Sequence, residues 1–193
     1  DVGLPDFGAI AATGNIVYVC RGERLDVLNL NSLPTIQRSS TFADDAQWVG
    51  ISGTTLYVGA SYEGMKAYNI TNNVISPPLL GTFNSPGNCS WASFGASRVY
   101  AADGGGGFEI VNNTNPAAMT QLGWMDDALE GVKDIQTLEN GFTYATDRVG
   151  LRVLNLTNPA APALLRTIPI AQLADPLAAG CEARVLHVGI GYL

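Results

Sequence analysis

Histidine occurs once in this chain of 193 residues, lysine twice, and only 14% of the residues are charged. Each scarcity excludes something. With His187 as the only imidazole, a Ser-His-Asp triad, a zinc centre or a His-ligated haem lacks parts. His187 stands between Leu186 and Val188 and reads as a structural residue on a strand. Lysine is confined to Lys66 and Lys133, no Lys/Arg cluster occurs, and the net charge is −7. Such a surface cannot displace the counterions of a phosphate backbone, which excludes nucleic acid as a partner and disfavours an anionic membrane surface. No clean apolar run reaches bilayer length: the longest, Ala160 to Cys181, contains Arg166, Asp175, Pro162, Pro169 and Pro176, so no membrane insertion is expected. The three cysteines, Cys20, Cys89 and Cys181, lack a metal-ligand spacing. Cys20 lies in an apolar run and reads as a small buried hydrophobe. Cys89 and Cys181 lie in glycine-flanked loops, where a disulfide between them and two separate thiols are both open readings.

What is present is hydrophobic and turn-rich. Hydrophobic residues make up 47% of the chain, with 22 glycines and 10 prolines. The apolar residues fall in short clusters, the texture of many short strands joined by turns within one domain. The chain opens Asp1-Val2-Gly3 without an initiator methionine, which reads as a mature secreted chain or as a fragment.

Self-similarity organises these strands. Four segments read alike: GNIVYVCRGERLDVLNLNSLP from Gly14, GTTLYVGASYEGMKAYNITNN from Gly53, ASRVYAADGGGGFEIVNNTNP from Ala96, and NGFTYATDRVGLRVLNLTNPAAP from Asn140. Their tyrosines, Tyr18, Tyr57, Tyr100 and Tyr144, are 39, 43 and 44 residues apart. Each is followed 11 or 12 residues later by Asn29, Asn69, Asn112 or Asn155. The tyrosines are expected at one equivalent position between repeats, with Leu28, Tyr68, Val111 and Leu154 nearby. In each copy the tyrosine strand turns into a second strand, such as Leu25 to Leu28. A third strand follows the asparagine turn (Thr35 to Phe42, Pro78 to Phe83, Met119 to Trp124, Ala163 to Ile170). Another precedes the tyrosine (Phe7 to Ala12, Gln47 to Ser52, Trp91 to Gly95, Val132 to Leu138), the last interrupted by Lys133 and Asp134. Four strands in about 40–45 residues is the size of a propeller blade. The expected fold is therefore all-β, of β-propeller-type repeats. Four blades span about 7–43, 44–84, 89–125 and 131–170, and a partial fifth begins within 181–193. Such an incomplete ring would be completed by further sequence or by pairing with a neighbouring subunit.

The stretch Tyr144-Ala145-Thr146-Asp147 through Gly150-Leu151-Arg152-Val153-Leu154-Asn155-Leu156-Thr157-Asn158-Pro159-Ala160-Ala161-Pro162 resembles the LVIVD repeat of secreted and surface-anchored prokaryotic β-propellers. Tyr100 to Pro116 carries the same resemblance, and the first two copies carry it more weakly. The resemblance implies a propeller fold and a surface setting, and little about activity. Family copies usually have Asp where this chain has Asn29, Asn69, Asn112 and Asn155.

Few motifs offer chemistry. The carboxylate pairs Asp44-Asp45 and Asp126-Asp127 occupy equivalent connections between copies, and the plain reading is a solvated turn. Of the active readings, calcium is preferred to acid/base work, although neither pair sits in an EF-hand-like loop. Gly104-Gly105-Gly106-Gly107 precedes a strand rather than a helix, so it is a turn and not a phosphate cradle. Glycosylation sequons begin at Asn69, Asn88, Asn112 and Asn155. About two would be expected from composition, and three fall at one place in the repeat. Turn chemistry and glycan attachment are both open readings.

These features point to a non-catalytic extracellular module, glycosylated, that presents a rigid repetitive surface for binding or structure at the cell surface. No cofactor is expected, with calcium the one exception to consider. Expected partners are surface proteins or glycans, or other copies of the chain. The alternatives are a self-assembling subunit of a fibre or surface layer and, third, a hydrolase-like enzyme.

Overall fold

The computed structural model describes residues 7–21, 24–32, 37–39, 45–125, 131–132, 134–137 and 142–173. The chain forms four antiparallel four-stranded sheets, each made of consecutive strands. The first contains β1 (Phe7–Thr13), β2 (Ile16–Arg21), β3 (Arg24–Asn29) and β4 (Gln37–Ser39). The second contains β5 (Trp48–Ser52), β6 (Thr55–Gly59), β7 (Met65–Asn69) and β8 (Leu79–Phe83). The third contains β9 (Trp91–Phe94), β10 (Arg98–Ala102), β11 (Phe108–Asn112) and β12 (Thr120–Met125). The fourth contains β13 (Asp134–Thr137), β14 (Phe142–Thr146), β15 (Gly150–Asn155) and β16 (Ala163–Pro169). Strand β16 runs into one helical turn, Ile170–Leu173, where a strand had been expected to reach Ile170. The segment 181–193, including His187 and the expected fifth copy, lies outside the described residues.

The four sheets share one register. Each repeat tyrosine is the third residue of its sheet's second strand: Tyr18 in β2, Tyr57 in β6, Tyr100 in β10 and Tyr144 in β14. The residues opposite on the third strand are Val27, Ala67, Ile110 and Val153. The expected neighbours Leu28, Tyr68, Val111 and Leu154 are each one position further along. A one-residue step turns a side chain to the other face of a strand, so these do not share the tyrosine face. Asp134 does not interrupt its strand: it is the first residue of β13 and is buried. Three sheets also carry a bulge at one place between third and fourth strands, at Ala67/Tyr68, Ile110/Val111 and Val153/Leu154.

The sheets pack in chain order through their first strands, β1 against β5, β5 against β9 and β9 against β13. Apolar side chains fill the seams, one cluster joining the first three sheets and another joining the third to the fourth. Trp48 and Tyr57 pack on Phe94 across the second seam, with ring centroids 5.6 and 5.2 Å apart. Tyr18 and Tyr57 are buried, and each sends its hydroxyl into the next sheet. Tyr18 Oη donates to the Val74 carbonyl at 2.6 Å, and Asn113 Nδ2 donates to Tyr57 Oη at 3.2 Å. Burial lifts the Tyr18 phenol to about 12, so it stays a neutral donor at physiological pH.

A second kind of contact joins neighbouring sheets. The turns Asn115-Pro116-Ala117-Ala118 and Asn158-Pro159-Ala160-Ala161 are closed by backbone bonds, Ala118 N to Asn115 O and Ala161 N to Asn158 O. Each asparagine also accepts from the backbone two residues on, at Ala117 N and Ala160 N. The first turn lies against Gly81 on β8 and the second against Gly123 on β12, each in the preceding sheet. The motif that carries the family resemblance is thus, in this chain, a spacer between sheets.

Candidate functional site: a buried acid pair on the third sheet

The sequon asparagines are turn-makers. Asn69, Asn112 and Asn155 end β7, β11 and β15, and their Oδ1 atoms accept from the backbone N–H of Thr71, Thr114 and Thr157 at 2.9, 3.0 and 3.0 Å. Thr114 and Thr157 add hydroxyl donations to the same oxygens. Asn29 makes the equivalent bond to Asn31 N at 3.0 Å without belonging to a sequon. The three sequon asparagines are half-buried, not fully exposed, because the turn folds the side chain back over the strand end. Beside Asn69 lies an open hollow of ≈ 450 Å³, lined by Asn69, Asn72, Asn73, Ser76, Pro77 and Pro78.

Asn88 differs from these. Its Oδ1 is buried with no hydrogen-bond partner among the described residues, and its backbone N–H donates to Asp103 O at 3.2 Å. Cys89 beside it is wholly buried, and burial and the Asp103 and Glu109 carboxylates push its thiol well above the usual range. Cys181 lies outside the described residues, as do Asp44, Asp126 and Asp127. Asp45 is described, with φ 59° in a connecting turn, where Gln47 Nε2 lies 3.4 Å from its Oδ1. Cys20 is buried on β2, and burial lifts its thiol to about 12.

The most unusual chemistry lies where no motif pointed. Asp103, just after β10, and Glu109, on β11, are both fully buried. Asp103 precedes the glycine run, in which Gly104–Gly106 forms one tight turn. Asp103 Oδ2 accepts from Gly87 N at 2.6 Å. A Cβ built on Gly87 or Gly106 would stand 2.8 or 2.4 Å from that oxygen, so both glycines are needed for the backbone to close around the carboxylate. Glu109 Oε1 accepts from Gln121 Nε2 at 3.1 Å. The remaining oxygens, Asp103 Oδ1 and Glu109 Oε2, make no well-aligned hydrogen bond among the described residues, and neither does Ser85 Oγ. The Ser85 hydroxyl nonetheless lies close enough to both carboxyls to favour their charged forms against the effect of burial. Trp124, exposed on β12, donates its indole N–H to Gly106 O at 2.9 Å. Burial, then the neighbouring Asp103 charge, lifts the Glu109 carboxyl to about 7, and burial raises Asp103 as well.

The other copies show what is unusual here. The positions of Asp103 and Glu109 relative to the repeat tyrosine and asparagine hold Arg21 and Asp26 in the first copy. They hold Ala60 and Lys66 in the second, and Asp147 and Arg152 in the fourth. Arg21 Nε lies 3.0 Å from Asp26 Oδ2, and Arg152 Nε lies 2.7 Å from Asp147 Oδ2. Lys66 pairs with Glu63. Three copies balance charge at this place, and the third sets two acids together. Among the described residues no three His, Cys, Asp or Glu side chains cluster as a metal site. Aligning the copies by charge at these two offsets would have exposed the pair in the sequence.

The acid pair has a pH signature. In the unfolded chain Glu109 loses its proton near its ordinary value of 4.5, and in the folded chain near 7. Between these values the native state holds more protons, so stability falls as pH rises from 4.5 to 7 and is level above. Asp103 acts with the same sign, while Ser85 and Gln121 carry no charge and the Cys89 thiol stays protonated throughout. Glu109→Gln should remove most of the slope. Thermal midpoints at pH 5 and pH 8 in a divalent-free buffer check this, and a wild-type midpoint that rises with pH would contradict it.

No protein-family model matches this chain, and no curated protein does. Solved structures do match at the level of fold. A functionally unknown protein from Desulfotomaculum acetoxidans is similar with TM-score 0.68 and 13% identity, over 86% of this chain and 57% of its own. PorZ, a bacterial surface component of the type-IX secretion system of Porphyromonas gingivalis, gives TM-score 0.59 and 12% identity, over 87% of this chain and 24% of its own. The computationally designed Ika4 protein gives 0.61 and 12%, over 78% and 91%. The chain spans little more than half of the first natural protein and a quarter of the second. Likeness at this identity concerns fold alone.

Proposed function

We propose that this chain is part of a β-propeller of the LVIVD-repeat kind, acting outside the cell as a non-catalytic surface module for binding or structure. Its sheets are the blades, and their first strands line the centre. The observation that carries the reading is the placement of the sequons. Asn69, Asn112 and Asn155 end the third strands of three successive sheets in the same asparagine turn, so glycans there would be evenly spaced along one rim. The open asparagine-lined hollow beside Asn69 offers polar groups to a surface protein or glycan. PorZ puts a similar fold to use at a bacterial surface. No helix among the described residues is long and apolar enough to cross a membrane.

The test is intact mass and glycopeptide mapping of the natural protein, together with its cell fraction. The expected result is a surface or medium fraction carrying sugar on at least one of Asn69, Asn112 and Asn155. An unmodified protein confined to the cytoplasm would overturn the proposal.

A further inference from the structure

We infer that Ser85, Asp103 and Glu109 form a binding site for a hard divalent cation, with calcium the class that fits. Three observations converge. First, three buried oxygens face one another without a well-aligned hydrogen bond: Asp103 Oδ1, Glu109 Oε2 and, near both, Ser85 Oγ, on residues 0%, 0% and 5% exposed. Carboxylate and hydroxyl oxygens without nitrogen or sulfur are the ligands that calcium and magnesium take. Second, the missing charge is defined by the molecule itself. In the first and fourth copies a guanidinium neutralises the carboxylate at these two positions, and in the third no side chain does. An unpaired buried carboxylate is costly enough that it must find a cation or keep a proton. Third, the pocket is built to hold a carboxylate in place. Gly87 N and the Gly87 and Gly106 backbones fix Asp103 Oδ2, and Gln121 fixes Glu109 Oε1, leaving the second oxygen of each free to ligate.

Two carboxylates with neutral ligands and water place the affinity with extracellular calcium modules, about 10⁻⁴–10⁻³ M. The site is closed in the folded chain, so the ion would act as a structural one that joins the 85–89 connection to the glycine turn.

Calcium chloride, magnesium chloride and potassium chloride are titrated separately into chelator-treated protein at pH 8. Thermal midpoint and calorimetric heat are read for wild type, Glu109→Gln and Asp103→Asn. At about 10 mM calcium the wild-type midpoint should rise by roughly 5–10 °C at pH 8, with one ion bound. The rise should vanish in both variants. Glu109→Gln swaps the carboxyl for a neutral group of the same shape and is expected to fold, so loss of response there is not loss of structure. An equal rise in Glu109→Gln, or none in wild type, overturns the inference. A wild type that ignores calcium while Glu109→Gln alone is more stable at pH 8 would instead identify a shared proton between two acids.

Discussion

Gly123→Val should lower stability by about 3 kcal/mol, a fall of roughly 6–12 °C in thermal midpoint for a chain of this size. A Cβ on Gly123 would stand 1.7 Å from the Pro159 carbonyl oxygen and 2.8 Å from its carbon. Both atoms are backbone in a turn closed by its own hydrogen bond, so the neighbour cannot rotate aside as a side chain would. Relief requires the third and fourth sheets to part, which opens the seam between Tyr100, Ile110, Val132 and Ile135. Gly81→Val acts the same way on the turn at Pro116 and Ala117, at 2.7 and 2.9 Å, and should cost somewhat less. Gly14→Ala is the control. It has a positive φ of 55° but nothing within 4 Å, so it should cost only the left-handed backbone penalty, about 1 kcal/mol. Urea titration of the three variants decides the matter, and a Gly14→Ala loss as large as that of Gly123→Val would refute the spacer role of the turn.

The frame of the molecule was legible because two landmarks recur with fixed offsets. Strand pairing depends on alternation and turn length, both local properties, so a tyrosine and an asparagine 11 or 12 residues apart mark a hairpin wherever they fall. The one-residue variation has a local cause: the connection between second and third strands is two residues longer at Ala60 to Gly64 and Asp103 to Gly107 than at Asp147 to Val149, while β15 is one residue longer than β7 and β11. The tyrosine neighbours were misplaced by one residue for the same reason: offset alone does not say which face a side chain takes. The glycine at Gly81 and Gly123 was invisible because its need arises from a turn some 35 residues later in another sheet. The acid pair makes no short motif, unlike adjacent carboxylates such as Asp126-Asp127. Asp103 and Glu109 are six residues apart and meet only through a hairpin. Their chemistry comes from burial and from what the other copies place there, and neither is a property of a short motif.

Arg152→Met should be the costliest single side-chain truncation in the fourth sheet, at about 3–5 kcal/mol. Arg152 is 7% exposed and Asp147 1%, and the guanidinium holds Asp147 Oδ2 at 2.7 Å while its Nη1 donates to Thr167 Oγ1 at 2.7 Å. Asp147 in turn accepts from the backbone of Val149 and Gly150 at 2.8 and 3.0 Å, so it shapes the hairpin between β14 and β15. Removing the guanidinium takes its 2.7 Å partner from a buried carboxylate, and the turn Asp147 organises keeps that carboxylate from moving to water. The first-sheet counterpart sets the scale. Arg21 is partly exposed, and its 3.0 Å contact with Asp26 falls short of hydrogen-bond geometry, so Arg21→Met should cost about 1 kcal/mol or less and lose most of that in high salt. Denaturant titrations of both variants at low and at about 1 M salt separate the two cases. Equal losses, or an Arg152→Met loss that salt abolishes, would show that the fourth-sheet pair is a surface ion pair and not part of the buried frame.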